Sequence, residues 1–413
     1  MKLHLTPAHI KYQLANLKQL TFEVTDACNL NCKYCAYGEF YNDYDKRENN
    51  YLSVNKAITL LKYLAEFWNS KQNISADRNV YISFYGGEPL LNMPFIEKII
   101  DFVEKMNCKT RHFTFAMTTN AILLHKYIDF LVEKNFNLLV SLDGNEQNTS
   151  YRVDKAGLPA FEKIEKNIEL LKVKYSDYFE NKVNFNAVLH NRNSVAEIYG
   201  FFKKKYNKIP TVGELNDMGI RPDKQQLFIE TYRNSYESLH QAENYTAIEK
   251  DMFVKSGTYQ SVCTYLHQYT DFVYRDYNEL LYGKFQKTVP TGTCMPFGKK
   301  MFVTVNGKLL PCERIGQQFS LGTVTDEKVE LDFEKIAEKY NCYFSKLENQ
   351  CQHCYNQKAC VQCIFNLENL DENPVCYGFM NEKSFAEYEA NQLQFLQKNP
   401  EEYYRIMEEV IVE

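Results

Sequence analysis

No run in this sequence approaches the roughly 18 consecutive apolar residues of a bilayer-crossing helix, so no transmembrane segment is expected. The opening stretch, MKLHLTPAHIKYQLANLKQL, has neither the apolar core nor the small-residue cleavage site of a secretory signal. The chain is therefore read as cytoplasmic, with no membrane partner. Basic residues are not in excess: 48 Lys and Arg stand against 53 Asp and Glu, a formal net charge of −5. That balance argues against broad nucleic-acid binding, because no basic face is implied. The Lys-rich KKKYNK at 203–208 is read as a solvated helix end. Tryptophan occurs once, and neither a low-complexity tract nor an internal repeat is found.

The 413 residues are 45% hydrophobic and 24% charged, the composition of a globular protein with one large domain or two to three smaller ones. Tyr and Phe are abundant, at 31 and 28, and no function is read from that. Thirteen cysteines in a reducing compartment point to metal rather than to disulfides.

The first half alternates between two periodicities. LTFEVT (20–25), NVYISFYGG (79–87), HFTFAMTTN (112–120), NLLVSLDG (137–144) and VNFNAVLH (183–190) read as strands. Helical spacing fills the gaps, as in 53–68 and 93–107. Such alternation predicts a parallel sheet, open or closed into a barrel, with polar and glycine-bearing tails at the C-terminal strand ends where barrel enzymes carry their sites. Residues 209–293 are Tyr-rich and read as mainly helical. Residues 294–379 hold eight cysteines among short strand-and-turn pieces, and 380–413 reads as a C-terminal helix.

CNLNCKYC places Cys28, Cys32 and Cys35 in a C-x3-C-x2-C loop directly after a strand. Such a loop can wrap one iron–sulfur cubane, each thiolate on a different iron. Clusters normally take four protein thiolates, so a three-thiolate loop leaves one iron open to a ligand. A zinc site completed by a remote histidine is the alternative.

TDACNLNCKYC resembles the signature loop of the radical S-adenosylmethionine (SAM) enzymes, including the aromatic Tyr34 before the last cysteine. The resemblance implies a [4Fe–4S] cluster whose fourth iron is chelated by SAM, and reductive cleavage of SAM to a 5′-deoxyadenosyl radical. YGGEP (85–89), with Gly86, Gly87 and Glu88, resembles the GGE motif that holds the SAM amino group. Glycines there let the backbone approach a ligand closely. TTN (118–120), with Asn120, and SLDG (141–144), with Ser141, resemble segments contacting ribose and carboxylate. Arg152 follows, and its fork suits a carboxylate.

The C-terminal cysteines resemble those of the SPASM domain, an extension of radical SAM enzymes that act on peptides and proteins. The resemblance implies two auxiliary [4Fe–4S] clusters, one on Cys294, Cys312 and Cys363 and one on Cys351, Cys354, Cys360 and Cys376. Two features depart from that pattern. Cys363 follows Cys360 by two intervening residues where three are usual. The cysteine that sulfatase-maturating relatives carry just before the position of Cys294 is also missing, which leaves an open iron or a role for Cys263 or Cys342. Cys108 reads as a small buried hydrophobe. Glu313, directly after Cys312, stands where those relatives place a carboxylate base; an ion pair with Arg314 is the other reading.

The expected architecture is a partial (β/α)6 TIM-like barrel over 1–208, a helical insert over 209–293, a SPASM domain over 294–379 and a closing helix. The expected activity is maturation of a ribosomally made precursor peptide by a thioether or carbon–carbon cross-link. The alternatives are formylglycine formation in a sulfatase and, more distantly, a non-catalytic metal-binding scaffold. Flavodoxin or ferredoxin would supply electrons. Only 19 residues precede the first strand, too few for an N-terminal leader-binding module.

Overall fold

In QLTFEVT, period-two alternation sends Leu20, Phe22 and Val24 to one face and Thr21, Glu23 and Thr25 to the other, and all six are buried. A strand buried on both faces belongs in the middle of a sheet. The computed structural model, which describes residues 4–42, 44–74, 79–108, 111–271, 273–274, 277–283 and 291–410, places it there as β1 (Gln19–Thr25). Parts of the 209–293 segment and the last three residues of the tail lie outside the described residues.

β1 pairs in parallel with β2 (Asn79–Gly86), and β3 (His112–Thr119), β4 (Asn137–Ser141), β5 (Val183–Val188) and β6 (Thr211–Gly213) follow in spatial order. Helices fill the crossovers: α2 (Val54–Trp68), α3 (Met93–Lys105), α4 (Ile128–Glu133), α5 (Phe161–Lys174) with α6 (Ser176–Lys182), and α7 (Val195–Tyr206); α1 (Pro7–Ala15) precedes β1. This is the six-stranded parallel core of a partial barrel. The helix side is apolar: Phe22 of β1 meets Phe95 of α3 edge-on at 6.1 Å, and Phe185 of β5 packs on Phe202 and Tyr206 of α7 at 4.6 and 5.0 Å. The opposite face of β1 is polar, and the Gln19 amide there donates to Ser83 at 2.9 Å.

Two features differ from the sequence expectation. β6 lies within the segment read as helical, because three residues are too short to show a period. β7 (Lys300–Val303) pairs in parallel with the free edge of β1, Gln19 against Lys300, and the antiparallel β8 (Lys308–Leu310), β9 (Gly322–Val324) and β10 (Val329–Glu330) extend the same sheet to ten strands. The segment 295–336 thus packs with the barrel, and the chain divides into two compact units, Thr6–Tyr245 with Met295–Ile336, and Met1–Leu5 with Thr246–Cys294 and Ala337–Glu413. The KKKYNK run ends α7 as expected, with Lys203, Lys204 and Lys205 in its last turn and Asn207 left-handed at φ 51°.

The second unit is mainly helical. Phe253, Tyr259, Val262, Leu266 and Ile406 form its apolar cluster, with Phe395 and Tyr403 packed against it. Asn341 receives the Leu5 amide and donates to the Leu5 carbonyl, both at 2.9 Å. The expected C-terminal helix is two, Glu382–Lys398 and Pro400–Glu409, broken at Asn399 before a proline. Among the described residues no helix is long and apolar enough to cross a membrane.

Phe185→Ala is expected to cost about 3–5 kcal/mol, because the ring sits fully buried among aromatic partners. Val173→Ala, on the exposed face of α5, should stay within about 0.5 kcal/mol. Chemical denaturation of both variants checks the contrast.

Candidate active site

The C-terminal ends of β1 to β5 converge on the cysteine loop, and the way they meet is set by glycine. Gly86 ends β2 at φ +132°, and a Cβ there would overlap the carbonyl oxygen of Thr25; one at Gly87 would overlap that of Ala27. The two chains run against each other, with Gly87 N–H donating to Thr25 O at 2.8 Å and Glu88 N–H to Ala27 O at 2.9 Å. The glycines therefore admit the backbone leading into Cys28, where the sequence suggested the close approach of a ligand.

Glu88 is fully buried and both its oxygens are engaged. Oε1 accepts from Leu90 N–H at 3.1 Å and Thr119 Oγ1 at 2.7 Å, and Oε2 accepts from Asn120 N–H at 2.7 Å. It ties the end of β2 to the end of β3. Burial is the largest influence on its carboxyl and pushes the pKa up to about 7. Asn120, next in line, donates from Nδ2 to Asn29 Oδ1 at 2.7 Å and lies 3.7 Å from Cys28 Sγ.

The cysteine loop is strapped to the segment after β4, with Asn31 N–H on Val153 O at 2.7 Å and Lys33 N–H on Tyr151 O at 3.2 Å. Tyr34 turns inward, its hydroxyl bonded to Asp143 and its ring stacked on His190 at 5.4 Å. Asp143 also takes Arg152 in a two-pronged pair, Nε at 2.9 Å and Nη2 at 2.8 Å, and accepts Val188 N–H at 2.9 Å. Arg152, expected to face a ligand carboxylate, thus spends two of its donors on a buried aspartate. Burial pushes His190 down to about 4, so it packs as a neutral ring. Ser141 closes β4 half-buried, opposite Asn186 of β5.

Cys28, Cys32 and Cys35 are partly buried, and Cys32 packs against a cluster of Tyr34, Phe40, Tyr41 and Tyr151. Desolvation pushes the Cys28 thiol up and Cys32 to about 12. Bare thiolates are thus disfavoured, and a bound metal would have to supply the compensation. The surrounding polar atoms suit a sulfur-rich anion. Leu30 N–H donates to Cys28 Sγ at 3.4 Å, and Asn29 Nδ2 is buried without a protein partner. Among the described residues no three His, Cys, Asp or Glu side chains converge on a single-ion position. A cubane does not ask for that, because its thiolates bind separate irons.

The later cysteines fall in both units. Cys351, Cys354, Cys360 and Cys376 line one cavity of the helical unit, and mutual proximity adds to the burial that pushes Cys351 up to about 12. Cys294 and Cys363 are close enough in the same unit for their charges to interact. Cys312 belongs to the barrel unit, where its sulfur accepts Arg314 N–H at 3.3 Å. Cys263 packs against the apolar cluster around Phe253, and Cys342 is exposed. Cys108 is buried in the turn after α3. Glu313, read as a carboxylate base with an Arg314 ion pair as the alternative, pairs with Lys300 of β7, at 3.1 and 3.0 Å. The sequence reading passed over Asp143, Arg47 and Glu23; Asp143 stood in the SLDG segment, followed nine residues later by its arginine, and that pairing was the available signal.

Residues 22–203 match the Radical SAM superfamily. Those residues form a radical SAM domain, similar to those of anaerobic sulfatase-maturating enzymes and of a radical SAM cyclopropyl synthase. Two curated relatives are the cysteine-type anaerobic sulfatase-maturating enzyme of Clostridium novyi (29% identical, covering 49% of this chain and 54% of that one) and the radical SAM cyclopropyl synthase TigE of Paramaledivibacter caminithermalis (28%, covering 42% and 35%). The matched region thus spans about half or less of those relatives' lengths. The solved structure of native anSMEcpe with bound AdoMet and Cp18Cys peptide shares the fold, with a TM-score of 0.59 at 20% identity over 93% of this chain and 97% of that one.

Burial raises Glu23 to about 7 as well. A carboxyl held above its ordinary 4.5 binds its proton more tightly folded than unfolded, so its contribution is complete below 4.5 and is lost as pH rises through 7. The unfolding midpoint is therefore expected to fall between about pH 5 and 8, and Glu88→Gln to make that fall shallower. A pH series on both proteins decides it, and an unchanged slope counts against the assignment.

Proposed function

We propose that this chain is a radical SAM peptide maturase: Cys28, Cys32 and Cys35 hold a [4Fe–4S] cluster, and the enzyme oxidatively modifies a ribosomally synthesised peptide by a thioether or carbon–carbon cross-link. The observation that carries the reading is the three-cysteine loop, ringed by N–H donors and fixed at the C-terminal ends of a parallel sheet. The cluster and SAM together supply a 5′-deoxyadenosyl radical that takes hydrogen from an unactivated carbon. The protein's part is to choose the hydrogen by position. Asn120 and the Leu30 amide orient Cys28, Tyr34 anchors the loop on Asp143, and Ser141 and the remaining donor of Arg152 offer contacts for SAM. Gly86, Gly87 and Glu88 contribute by holding the loop in register.

Two auxiliary clusters fit a net two-electron oxidation, in which the substrate radical gives up its second electron. One would rest on Cys351, Cys354, Cys360 and Cys376, and the other would draw on Cys294 and Cys363. Glu313 would take the substrate proton. Its pairing with Lys300 means that the lysine must release it, or pass the proton on, in each turnover. A flavodoxin or ferredoxin would reduce the first cluster in the cytoplasm. The second reading, formylglycine formation in a sulfatase, is favoured by the likeness to the Clostridium novyi enzyme. The scaffold reading gives no reason for the GGE-like and SLDG-like segments and predicts no SAM cleavage.

Anaerobic reconstitution is expected to give about twelve irons per chain, the sum of three four-iron clusters, and reductant-dependent release of 5′-deoxyadenosine that Cys32→Ala abolishes. Zinc in place of iron, with SAM intact, would overturn the proposal. In Glu313→Gln the ratio of modified peptide to 5′-deoxyadenosine should drop about 100-fold, the loss expected of a general base. Mass spectrometry of incubated precursor peptides checks it.

A further inference from the structure

Beside the third cysteine lies a group of buried polar atoms that the protein itself leaves unpaired. After Cys35 the chain loops out and returns antiparallel to the end of β1. Leu52 N–H donates to Val24 O at 3.1 Å, Asp26 N–H to Asn50 O at 3.2 Å and Thr25 Oγ1 to the same oxygen at 2.7 Å. Glu48 N–H donates to Asp26 Oδ2 at 3.1 Å, which sets the aspartate next to Arg47. The Arg47 guanidinium lies over the Tyr37 ring, 3.9 Å from its centroid. Tyr37 in turn packs edge-on against Tyr44 at 4.8 Å and faces Tyr85, the last residue before the paired glycines, at 6.5 Å.

Three atoms here are buried without a hydrogen-bond partner: the Tyr37 hydroxyl, Arg47 Nη2 and Asp26 Oδ1. Glu23 does not satisfy the arginine, since its Oε1 stands 3.8 Å from Nη2 and its Oε2 accepts Val305 N–H at 2.9 Å. An unpaired buried donor costs about 1–3 kcal/mol, and native proteins keep few of them. Three in one neighbourhood are what a bound polar molecule would satisfy. Its chemistry can be read from the set, which contains a cationic donor, a hydroxyl and an anionic acceptor. With Asp26 and Glu23 both close by, a third carboxylate would gain little from one arginine. A peptide unit supplies what is lacking, with its carbonyl oxygen for Arg47 and Tyr37 and its N–H for Asp26.

The geometry points to Arg47, Tyr37 and Asp26 as a subsite for one main-chain amide of the substrate, held by its backbone rather than by a side chain. This rests on the reading of the chain as a peptide-modifying enzyme and adds how the peptide is gripped. Glu313 belongs to the same neighbourhood, since its charge and that of Cys35 both bear on Tyr85. Fixing one peptide unit there would hold a neighbouring residue in place without demanding a particular side chain at the anchored position.

The test uses the reconstituted full chain and radiolabelled acetyl-hexaglycine amide, a probe made of main-chain amides with no side chains and no end charges. Equilibrium dialysis is expected to show saturable binding, weakened at least tenfold in Arg47→Gln and about threefold in Tyr37→Phe, which removes a single hydroxyl and leaves the packing intact. The hexasarcosine counterpart capped as a dimethylamide, which keeps the carbonyls and lacks N–H groups, should bind several-fold less tightly because Asp26 then has no donor. Equal binding by wild type and both variants, or no saturable binding at all, would overturn the inference. So would displacement of the probe by SAM, which assigns the atoms to the cofactor, or tighter binding of acetyl-glutamate amide, which makes the site one for carboxylates. Iron content of each variant shows that it has folded. SAM cleavage on the same samples separates the two proposals: probe binding without cleavage removes the reaction and leaves the subsite, whereas cleavage without probe binding removes the subsite alone.

Discussion

The exits of β1 and β2 touch backbone to backbone, and the rest of the site depends on that contact. Two consecutive glycines make it possible, because a Cβ at either would occupy the space of a carbonyl oxygen in the cysteine loop's approach. Once the chains lie against each other, Glu88 is carried into the interior and must find donors there. It finds three, on Leu90, Thr119 and Asn120. Asn120 then reaches Asn29 and Cys28. Three strand ends and the cysteine loop thus form one hydrogen-bonded body, in which each buried bond adds about 1 kcal/mol and a lost partner costs more. A second tie, from Tyr34 through Asp143 to Arg152 and Val188, fixes the other side of the loop to β4 and β5. A cubane needs thiolates at set positions, and these two ties fix the loop that carries the three thiols.

What could be read from the sequence follows from what is local in it. The cysteine spacing is covalent, and the strands β1 to β5 each carry enough alternation to be recognised, so the barrel and its cysteine loop were legible. Partners that meet only in three dimensions were not. Gly86, Gly87 and Glu88 were read as facing a ligand, and they face the chain itself. Arg152 was read as free for a carboxylate, and Asp143 holds it. For Glu313 the alternative to a base was Arg314, its neighbour in sequence, whereas Lys300, thirteen residues back on β7, holds both its oxygens. In each case the motif supplied the residue type and the fold supplied a different partner. β6 and the attachment of β7 to β1 escaped for a related reason, since short strands have little period and nothing local says which edge a hairpin joins.

Two ion pairs around the site, Asp143–Arg152 and Glu313–Lys300, differ in what they can do. Asp143 and Arg152 are both almost wholly enclosed, with every oxygen of the aspartate used. Breaking such a pair strands a charge in the interior, at a cost of about 3–5 kcal/mol, so the pair serves to hold a shape. Glu313 and Lys300 are about a fifth exposed, and water can take over from either partner. Separating a pair so placed costs less than separating the enclosed one. The distinction matters for assigning chemistry, because a fully enclosed and fully bonded group is poorly placed to change its state during a reaction.

The polar face of β1 shows where stability has been given up. Thr21 Oγ1 on the strand, and Asp26 Oδ1, Asn29 Nδ2, Tyr37 OH and Arg47 Nη2 beyond its end, are all buried and unpartnered. An apolar filling would be more stable, and the helix-facing side of the same strand has one in Leu20, Phe22 and Val24. Alternation within seven residues thus separates a side that holds the fold from a side that waits for ligands. The unsatisfied atoms divide again along the chain. Asn29 sits in the cysteine loop and suits a cluster, whereas Tyr37, Arg47 and Asp26 sit where that loop turns back and suit an amide. Polar groups left unpaired in the interior are expected at functional sites. Here they fall in the cysteine loop, at Asn29, and in the segment that returns from it, at Tyr37 and Arg47.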